Sequence, residues 1–208
     1  MKNPLLVGSK GCGSAIVEAA FRLAGIAFDY EEVDYSADSP TRARLLQVNP
    51  LGQVPALVLP GGEVMTESLA MIHYANDRAP KAGLIPPPGD PARTAFYRWA
   101  VFLIAAVYPT FTYGDEPGKW VPDEAGAKQL RESTNRHREA LWRQAEAAAG
   151  SPWFLGEQRS ALDAYIAVMT YWRPGRKWFE ANAPRLAAIA KRAAALDAVA
   201  PVIEKNFA

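Results

Sequence analysis

The chain has 208 residues, of which 50% are hydrophobic and 22% are charged. This composition can fill a hydrophobic core in one large domain or two small ones, and it is not that of a disordered chain. The formal net charge is +1, from 23 basic and 22 acidic residues without a basic cluster, so nucleic acid is not expected as a partner.

The apolar segments and the cysteine content indicate a cytoplasmic protein. The apolar stretch at the start holds about three residues, whereas a secretory signal needs roughly 7–15. The longest apolar run, residues 100–108, is shorter than the roughly 20 residues that cross a bilayer. The single cysteine, Cys12, excludes an internal disulfide, so we expect a soluble, cytoplasmic chain with a reduced thiol and no membrane partner.

The first part of the chain alternates between strand and helix patterns. In chain order these are a strand at residues 4–9, a helix at 14–25, a strand at 28–35, a helix at 41–49, strands at 54–60 and 63–67, and a helix at 68–80. The helix between the first two strands favours a parallel pair, and Gly61-Gly62 predicts an antiparallel hairpin for the last two. The order β-α-β-α-β-β-α predicts a mixed four-stranded sheet with helices on its faces, the thioredoxin-like pattern.

A segment rich in proline and glycine, residues 81–94, separates this part from the rest of the chain. Beyond it the strand patterns stop, and helical patterns follow at residues 91–111, 123–150, 161–172, 175–183 and 184–196. We therefore predict a thioredoxin-like domain at residues 1–80, a proline-rich linker at 81–94 and an all-helical domain at 95–208. Ser160 and Asp163 have the spacing of a helix-capping box, which is a folding role and not a catalytic one.

Pro55 stands inside an apolar run that otherwise has the pattern of a strand, and it has no N–H to give to a sheet. A proline there marks an edge strand or a special turn, unless the backbone serves another purpose. It closes the pattern Asn-Pro-x-Gly-x-Val-Pro at residues 49–55, and Glu67-Ser68 follows the glycine hairpin.

These motifs, in this order and followed by a helical region, resemble the cytosolic glutathione S-transferase superfamily over nearly the whole chain. Residues 8–26 look more like the serine- or cysteine-type bacterial enzymes, since Val7 stands where tyrosine-type enzymes carry their catalytic hydroxyl. The resemblance implies a transferase that conjugates glutathione to small hydrophobic electrophiles, as in detoxification. Glutathione would be a co-substrate, and no cofactor is implied.

The resemblance also implies a glutathione site. Pro55 is expected to follow a cis peptide bond that turns the Val54 N–H and C=O toward the cysteinyl unit of the tripeptide. Ser68, at the start of a predicted helix, would bind the γ-glutamyl carboxylate, because free N–H groups and the helix dipole favour an anion there. Glu67 would pair with the ammonium group, and Gln53 would add a contact. A plain turn at Pro55 and a helix cap at Ser68 are the structural alternatives.

The loop between the first strand and the first helix carries the candidates for activating the glutathione thiol, which has a pKa of about 8.5 if it behaves like free cysteine. The side chains in reach are Ser9, Cys12 and Ser14. Cysteine-type enzymes carry their cysteine at the place of Gly13, and Ser9 matches the serine-type pattern only with another loop length, so Ser9 and Cys12 both stay candidates. A hydroxyl would favour conjugation, whereas a cysteine would favour thiol transfer or deglutathionylation through a mixed disulfide. A binding or regulatory protein without turnover is the third hypothesis.

The resemblance implies that the region at and after the end of the first long helix helps to form the electrophile site, and aromatic residues there would fit flat apolar substrates. These aromatic residues are Tyr108, Phe111, Tyr113 and Trp120, with core packing as the alternative role. His73 and His137 lie far apart without metal-ligand spacing, so we predict no metal, and the chain lacks nucleotide-binding glycine motifs. The resemblance finally implies a homodimer, with candidate faces around Ile72, Tyr74, Arg78, Arg93 and Tyr97.

Overall fold

The computed structural model describes residues 2–36 and 38–208. Its first part contains, in chain order, β1 (Leu5–Gly8), α1 (Ser14–Leu23), β2 (Asp29–Glu32), α2 (Arg42–Val48), β3 (Ala56–Val58), β4 (Val64–Met65) and α3 (Ser68–Arg78). Each predicted element of this part is present, although the strands are shorter than their patterns. The predicted strand at residues 63–67 retains only the two residues of β4.

The strands form one four-stranded sheet in the order β2-β1-β3-β4. β1 pairs with β2 in parallel, with Leu6 opposite Tyr30, and it pairs with β3 antiparallel, with Leu6 opposite Leu57. β3 and β4 are antiparallel across the glycine hairpin. The predicted thioredoxin-like topology is therefore confirmed.

The two faces of the sheet bury separate sets of side chains because strand residues alternate in direction. Val7 and Ala56 belong to a small core with Leu45 and Val48 of α2. Leu6 and Leu57 belong to the main core, which continues through α1 into the helical region. Residues 14–21 of α1 are all buried, because this helix lies between the sheet and the helices that follow.

The helical region consists of α4 (Ala92–Phe102), α5 (Tyr108–Asp115), α6 (Glu124–Ala148), α7 (Ala161–Met169), α8 (Arg176–Asn182), α9 (Pro184–Ala194) and α10 (Ala200–Phe207). The helix predicted at residues 91–111 is not regular: a π-helical turn, Leu103–Val107, joins α4 to α5. Pro109 lies in the first turn after it, where it cannot donate an intrahelical hydrogen bond. The sequence patterns did not predict α10.

The helix α7 runs through the middle of the core, and all of its residues are buried. The predicted capping box at its start is confirmed: the Asp163 carboxylate accepts hydrogen bonds from the Ser160 N–H at 2.7 Å and the Phe154 N–H at 2.8 Å. Burial raises the pKa of Asp163 to about 6, against the lowering effect of these bonds. This carboxylate therefore serves the fold.

Two residues of the predicted dimer face are not on the surface. Ile72 is fully buried, and Tyr74 is 8% exposed because its ring stacks on Phe21 of α1 at 6.2 Å. The prediction that these side chains face a partner is wrong, whereas Arg78, Arg93 and Tyr97 retain exposed surface. The exact domain and linker boundaries stay a prediction. None of the helices described here is long and apolar enough to span a bilayer.

Candidate functional site

The loop between β1 and α1, residues 9–13, is folded tightly around one serine. The Ser14 hydroxyl accepts from the Ser9 N–H at 3.1 Å and donates to the Ser9 carbonyl at 2.9 Å. Gly8 permits this, because a Cβ at Gly8 would lie 2.5 Å from the Ser14 Cβ. Ser14 is fully buried and its hydroxyl proton is already used, so it is not free to donate to a bound sulfur.

The helical region makes hydrogen bonds with the same loop at the N–H and the carbonyl of Gly11. The Gly11 N–H donates to Asn206 Oδ1 of α10 at 3.0 Å, and the Trp172 indole N–H donates to the Gly11 carbonyl at 2.7 Å. Gly11 has a φ of +74°, which favours glycine. Sequence reasoning missed Trp172 and Asn206, because nothing in their local patterns points to a loop so far away in the chain.

The Cys12 thiol is half-buried in this loop. Burial raises its pKa above the ordinary value, while the nearby Tyr35 and Ser9 hydroxyls lower it and the charge of Asp115 raises it. The net shift is upward, so Cys12 is a protonated thiol near neutral pH. Ser9 lies next to this thiol, so the structure brings the two predicted thiol-activating candidates together.

Tyr108 of α5 reaches the start of α1. Its hydroxyl oxygen lies 3.0 Å from the position that a Cβ on Gly13 would occupy. This hydroxyl is buried and has no hydrogen-bond partner in the part of the chain that the structure describes. Burial raises the pKa of Tyr108 well above its ordinary value, so the phenol is neutral. It fills the space in which a cysteine side chain at position 13 would have to fit.

The Gln53-Val54-Pro55 segment lies beside the same helix start. The Val54–Pro55 bond is cis, and the Pro55 Cδ lies 3.5 Å from the point where a Cβ on Gly13 would stand. Asn49 Nδ2 donates to the Gln53 carbonyl at 2.8 Å and fixes the turn. Among the described residues, the Val54 N–H and C=O have no backbone partner, so both can serve a ligand.

Glu67 and Ser68 form the start of α3, as predicted. Glu67 is exposed and has a φ of 66° with a ψ of 112°, a conformation that residues other than glycine rarely adopt. Ser68 is buried, and its hydroxyl lies 2.7 Å from the Tyr165 hydroxyl of α7. The first N–H groups of α3 lack intrahelical partners, as at every helix start, and so can bind an anion.

The predicted electrophile residues divide into two groups. Tyr108 and Phe111 pack edge-to-face with Trp172, at 5.6 and 5.4 Å, next to the β1–α1 loop. The buried Arg138 guanidinium lies over the Phe111 ring, 3.9 Å from its centroid. Tyr113 and Trp120 instead form a separate, largely exposed pair at 4.8 Å.

In the rest of the described chain, neither metal-binding side chains nor cavities indicate a second candidate site. No cluster of His, Cys, Asp and Glu suited to a metal occurs within residues 2–36 and 38–208. A cavity of about 240 Å³ lies against α8 and α9, and another of about 420 Å³ lies beside Pro86 and Arg159. Neither is lined by a residue of the predicted site.

Comparisons with known proteins point to one family. The family model described as "Glutathione S-transferase, N-terminal domain" matches residues 14–78. The uncharacterized GST-like protein YncG of Escherichia coli K12 is 37% identical over 202 residues, which cover 96% of each chain. A sphingomonad glutathione S-transferase complexed with glutathione superposes with a TM-score of 0.77 and 26% identity, over 98% of this chain and 100% of that one. A glutathione transferase homolog from Sulfitobacter, with bound glutathione, shares the fold with a TM-score of 0.86 at 24% identity over 100% of both chains.

Proposed function

We propose a glutathione-conjugating activity for this chain, which belongs to the glutathione S-transferase superfamily. The observation that carries the proposal is the pair Glu67 and Ser68, with Glu67 in a strained conformation directly before the first turn of α3. Strain at an exposed residue persists where the surrounding structure over-determines it, and such residues cluster at ligand sites. The exposed carboxylate and the helix start would bind the two charged groups of a γ-glutamyl unit.

The tripeptide would extend from α3 toward α1. Ser68 and the first N–H groups of α3 would bind the γ-glutamyl carboxylate, and Glu67 would pair with the ammonium group. The free Val54 N–H and C=O would pair with the cysteinyl unit, with Gln53 as a further contact. Pro55 lies next to Gly13, so on this path the sulfur would lie at the start of α1.

The sulfur would react there as a thiolate. Its proton would go to solvent, its electron pair would form the bond to the electrophilic carbon, and a leaving group would depart with the electrons of its own bond. Ser9 is the proposed hydroxyl donor to the thiolate. Because the pKa of Cys12 is raised, its own thiolate is scarce near neutral pH, which supports conjugation over thiol transfer through Cys12. Tyr108 and Phe111 would line the electrophile side, and Tyr113 and Trp120 would extend it.

The test combines glutathione calorimetry with turnover on a panel of small electrophiles and on a mixed-disulfide substrate. We expect binding and conjugation by the wild type, and a loss of roughly 10²-fold in conjugation for Ser9→Ala, the scale for removal of one preorganised donor. Cys12→Ala should conjugate normally, and alkylation of Cys12 by iodoacetamide should be slow at pH 7 and accelerate only in alkaline solution. If the wild type transfers thiols and Cys12→Ala does not, the chain would instead be a glutathione-dependent thiol transferase that acts through Cys12. Glutathione binding without any turnover would indicate a binding or regulatory protein.

We also propose a cytoplasmic homodimer that uses the face of α3 and α4. On this face Tyr97 stacks with His73 at 5.7 Å, and Val101, one turn further along α4, is 51% exposed. A charge at Val101 should therefore weaken the dimer, so Val101→Glu should shift the mass from light scattering toward the monomer. Val64→Glu, at an exposed valine of β4, is the matched control and should stay dimeric. A wild-type monomer at micromolar concentration would refute the dimer.

A further inference from the structure

The hydrogen bond between Tyr165 and Ser68 connects the helical region to the proposed glutathione site. The two hydroxyl oxygens lie 2.7 Å apart, and the residues are separated by 97 positions in the chain. Tyr165 is 1% exposed and Ser68 is 9% exposed, so neither hydroxyl exchanges this partner freely with bulk water. A short, buried bond of this kind fixes the orientation of both groups.

The direction of the bond follows from the hydrogen-bonding capacity of each group. Within the described part of the chain, Ser68 is the only partner of the Tyr165 hydroxyl. If Ser68 donated, the phenol proton would be buried without an acceptor, which is unfavourable. If Tyr165 donates, its proton is satisfied and the Ser68 proton is left free to point away from α7. Burial, which raises the pKa of Tyr165, keeps that phenol proton in place.

The surroundings hold Tyr165 firmly in this position. Its helix, α7, begins at the capping box of Ser160 and Asp163 and is buried along its length. α7 packs against both α1 and α9. The phenol therefore approaches Ser68 from a rigid element, whereas the Ser68 hydroxyl would otherwise rotate among its staggered positions.

We propose that Tyr165 is a positioning residue for glutathione: it donates to Ser68 Oγ and thereby directs the Ser68 proton to the γ-glutamyl carboxylate. The inference rests on the proposed function, because it assumes that Ser68 binds that carboxylate. Tyr165 itself does not touch the tripeptide or the sulfur. Its loss should therefore weaken glutathione binding and leave the reaction of bound glutathione unchanged.

A double-mutant cycle tests this. Glutathione affinity is measured by calorimetry for the wild type, Tyr165→Phe, Ser68→Ala and the double variant. We expect Tyr165→Phe to weaken binding about fivefold to tenfold, the scale of one hydrogen bond. In the Ser68→Ala background the same change should alter affinity by less than about twofold, because the partner is already absent. The kcat at saturating glutathione and its pH profile should match the wild type, while KM for glutathione rises.

A role of Tyr165 in stability alone predicts a different result. Tyr165→Phe would then lower the free energy of unfolding and leave glutathione affinity unchanged, and that outcome would overturn the proposal. Ile166→Val, a neighbouring truncation in the same buried helix, controls for loosened packing of α7 and should keep wild-type affinity. If wild-type protein does not bind glutathione, the proposed function fails and this inference fails with it. Binding by the wild type with additive single effects refutes only the inference.

A second measurement does not depend on whether Tyr165→Phe folds. In proton NMR, a buried phenol proton that is donated to Ser68 should exchange slowly with water. We expect such a resonance in the wild type and its loss in Ser68→Ala. A wild-type phenol proton that exchanges as fast as those of exposed tyrosines would overturn the assigned direction of the bond.

Discussion

The indole N–H of Trp172 donates to the carbonyl oxygen of Gly11 across 2.7 Å. Together with the bond from the Gly11 N–H to Asn206, it ties the loop that carries Ser9 and Cys12 to the helical region. The geometry of the proposed sulfur site is therefore set by residues from both parts of the chain.

Replacement of Trp172 by phenylalanine should loosen this loop. Phenylalanine keeps much of the edge-to-face packing with Tyr108 and Phe111 but leaves the Gly11 carbonyl without its donor. We expect kcat for conjugation to fall about tenfold, the scale of roughly 1.4 kcal/mol of lost transition-state stabilisation. The melting temperature should change only slightly. Trp178→Phe, at a tryptophan of α8, is the control, and equal kinetics for the two variants would contradict the prediction.

The contrast between the two parts of the site shows what sequence patterns can predict. Pro55, Glu67 and Ser68 stand out because each breaks or ends a local pattern, a proline in a strand or a polar pair at a helix start, and the family resemblance assigns them to the proposed site. Trp172 and Asn206 contact Gly11 over separations of 161 and 195 positions, and no local pattern encodes such a contact. The π-helical turn before Tyr108 was missed for a related reason, since hydrophobic periodicity does not separate it from an α-helix.

The conformation of Glu67 predicts opposite effects on stability and binding. Its φ of 66° lies where only glycine is unstrained, so Glu67→Gly should raise the free energy of unfolding by about 1 kcal/mol. The same variant loses the carboxylate that would pair with the glutathione ammonium group. We therefore expect glutathione affinity to fall by about 1–3 kcal/mol, as for Glu67→Ala.

Denaturant unfolding and calorimetry measure the two quantities in parallel. Glu63→Gly, at an exposed glutamate of the preceding hairpin, is the matched control, since it removes an equal charge outside the proposed site. Unchanged glutathione affinity in Glu67→Ala and Glu67→Gly would count decisively against the proposed site.

The close approach of Tyr108 to Gly13 predicts that Gly13→Ala has opposite effects on stability in the wild type and in Tyr108→Phe. Gly13 has ordinary helical angles, φ −59° and ψ −18°, so alanine there should stabilise the chain by about 0.4–1 kcal/mol in the absence of a clash. In the wild type, however, the new Cβ would lie 3.0 Å from the Tyr108 hydroxyl, and such overpacking costs about 1–3 kcal/mol. Gly13→Ala should therefore destabilise the wild type and stabilise Tyr108→Phe.

The measurement is the free energy of unfolding of the four proteins of this cycle. Pro55, whose Cδ lies at an ordinary 3.5 Å from the new Cβ, should not contribute to the clash. If Gly13→Ala changes the free energy of unfolding in the same direction in both backgrounds, the Tyr108 hydroxyl does not cause a steric clash with the new Cβ. Gly13→Cys should follow Gly13→Ala, and it should not give the chain a cysteine-type activity while Tyr108 is present.

The buried carboxyl of Asp163 predicts how stability depends on pH. Its pKa is raised to about 6 in the folded chain, mainly by burial, whereas an unfolded aspartate has a pKa of about 3.9. Between these values the unfolded chain releases the proton and the folded chain keeps it. The contribution of Asp163 to stability is thus fully present below about pH 4 and is lost as the pH rises toward and through 6, by on the order of 2–3 kcal/mol.

Asp163→Asn removes this titration. Asparagine also has one oxygen in place of the two that accept from Ser160 and Phe154, so the variant should be less stable than the wild type at acidic pH. The difference in the free energy of unfolding between wild type and variant should then shrink as the pH rises from 4 to about 7. Denaturant titrations across this range measure it, with Asp77→Asn, at an exposed carboxyl of α3, as the control. A difference that stays constant with pH would show that Asp163 is already ionised at pH 4. The hydrogen bonds from its two N–H donors would then lower its pKa more than burial raises it.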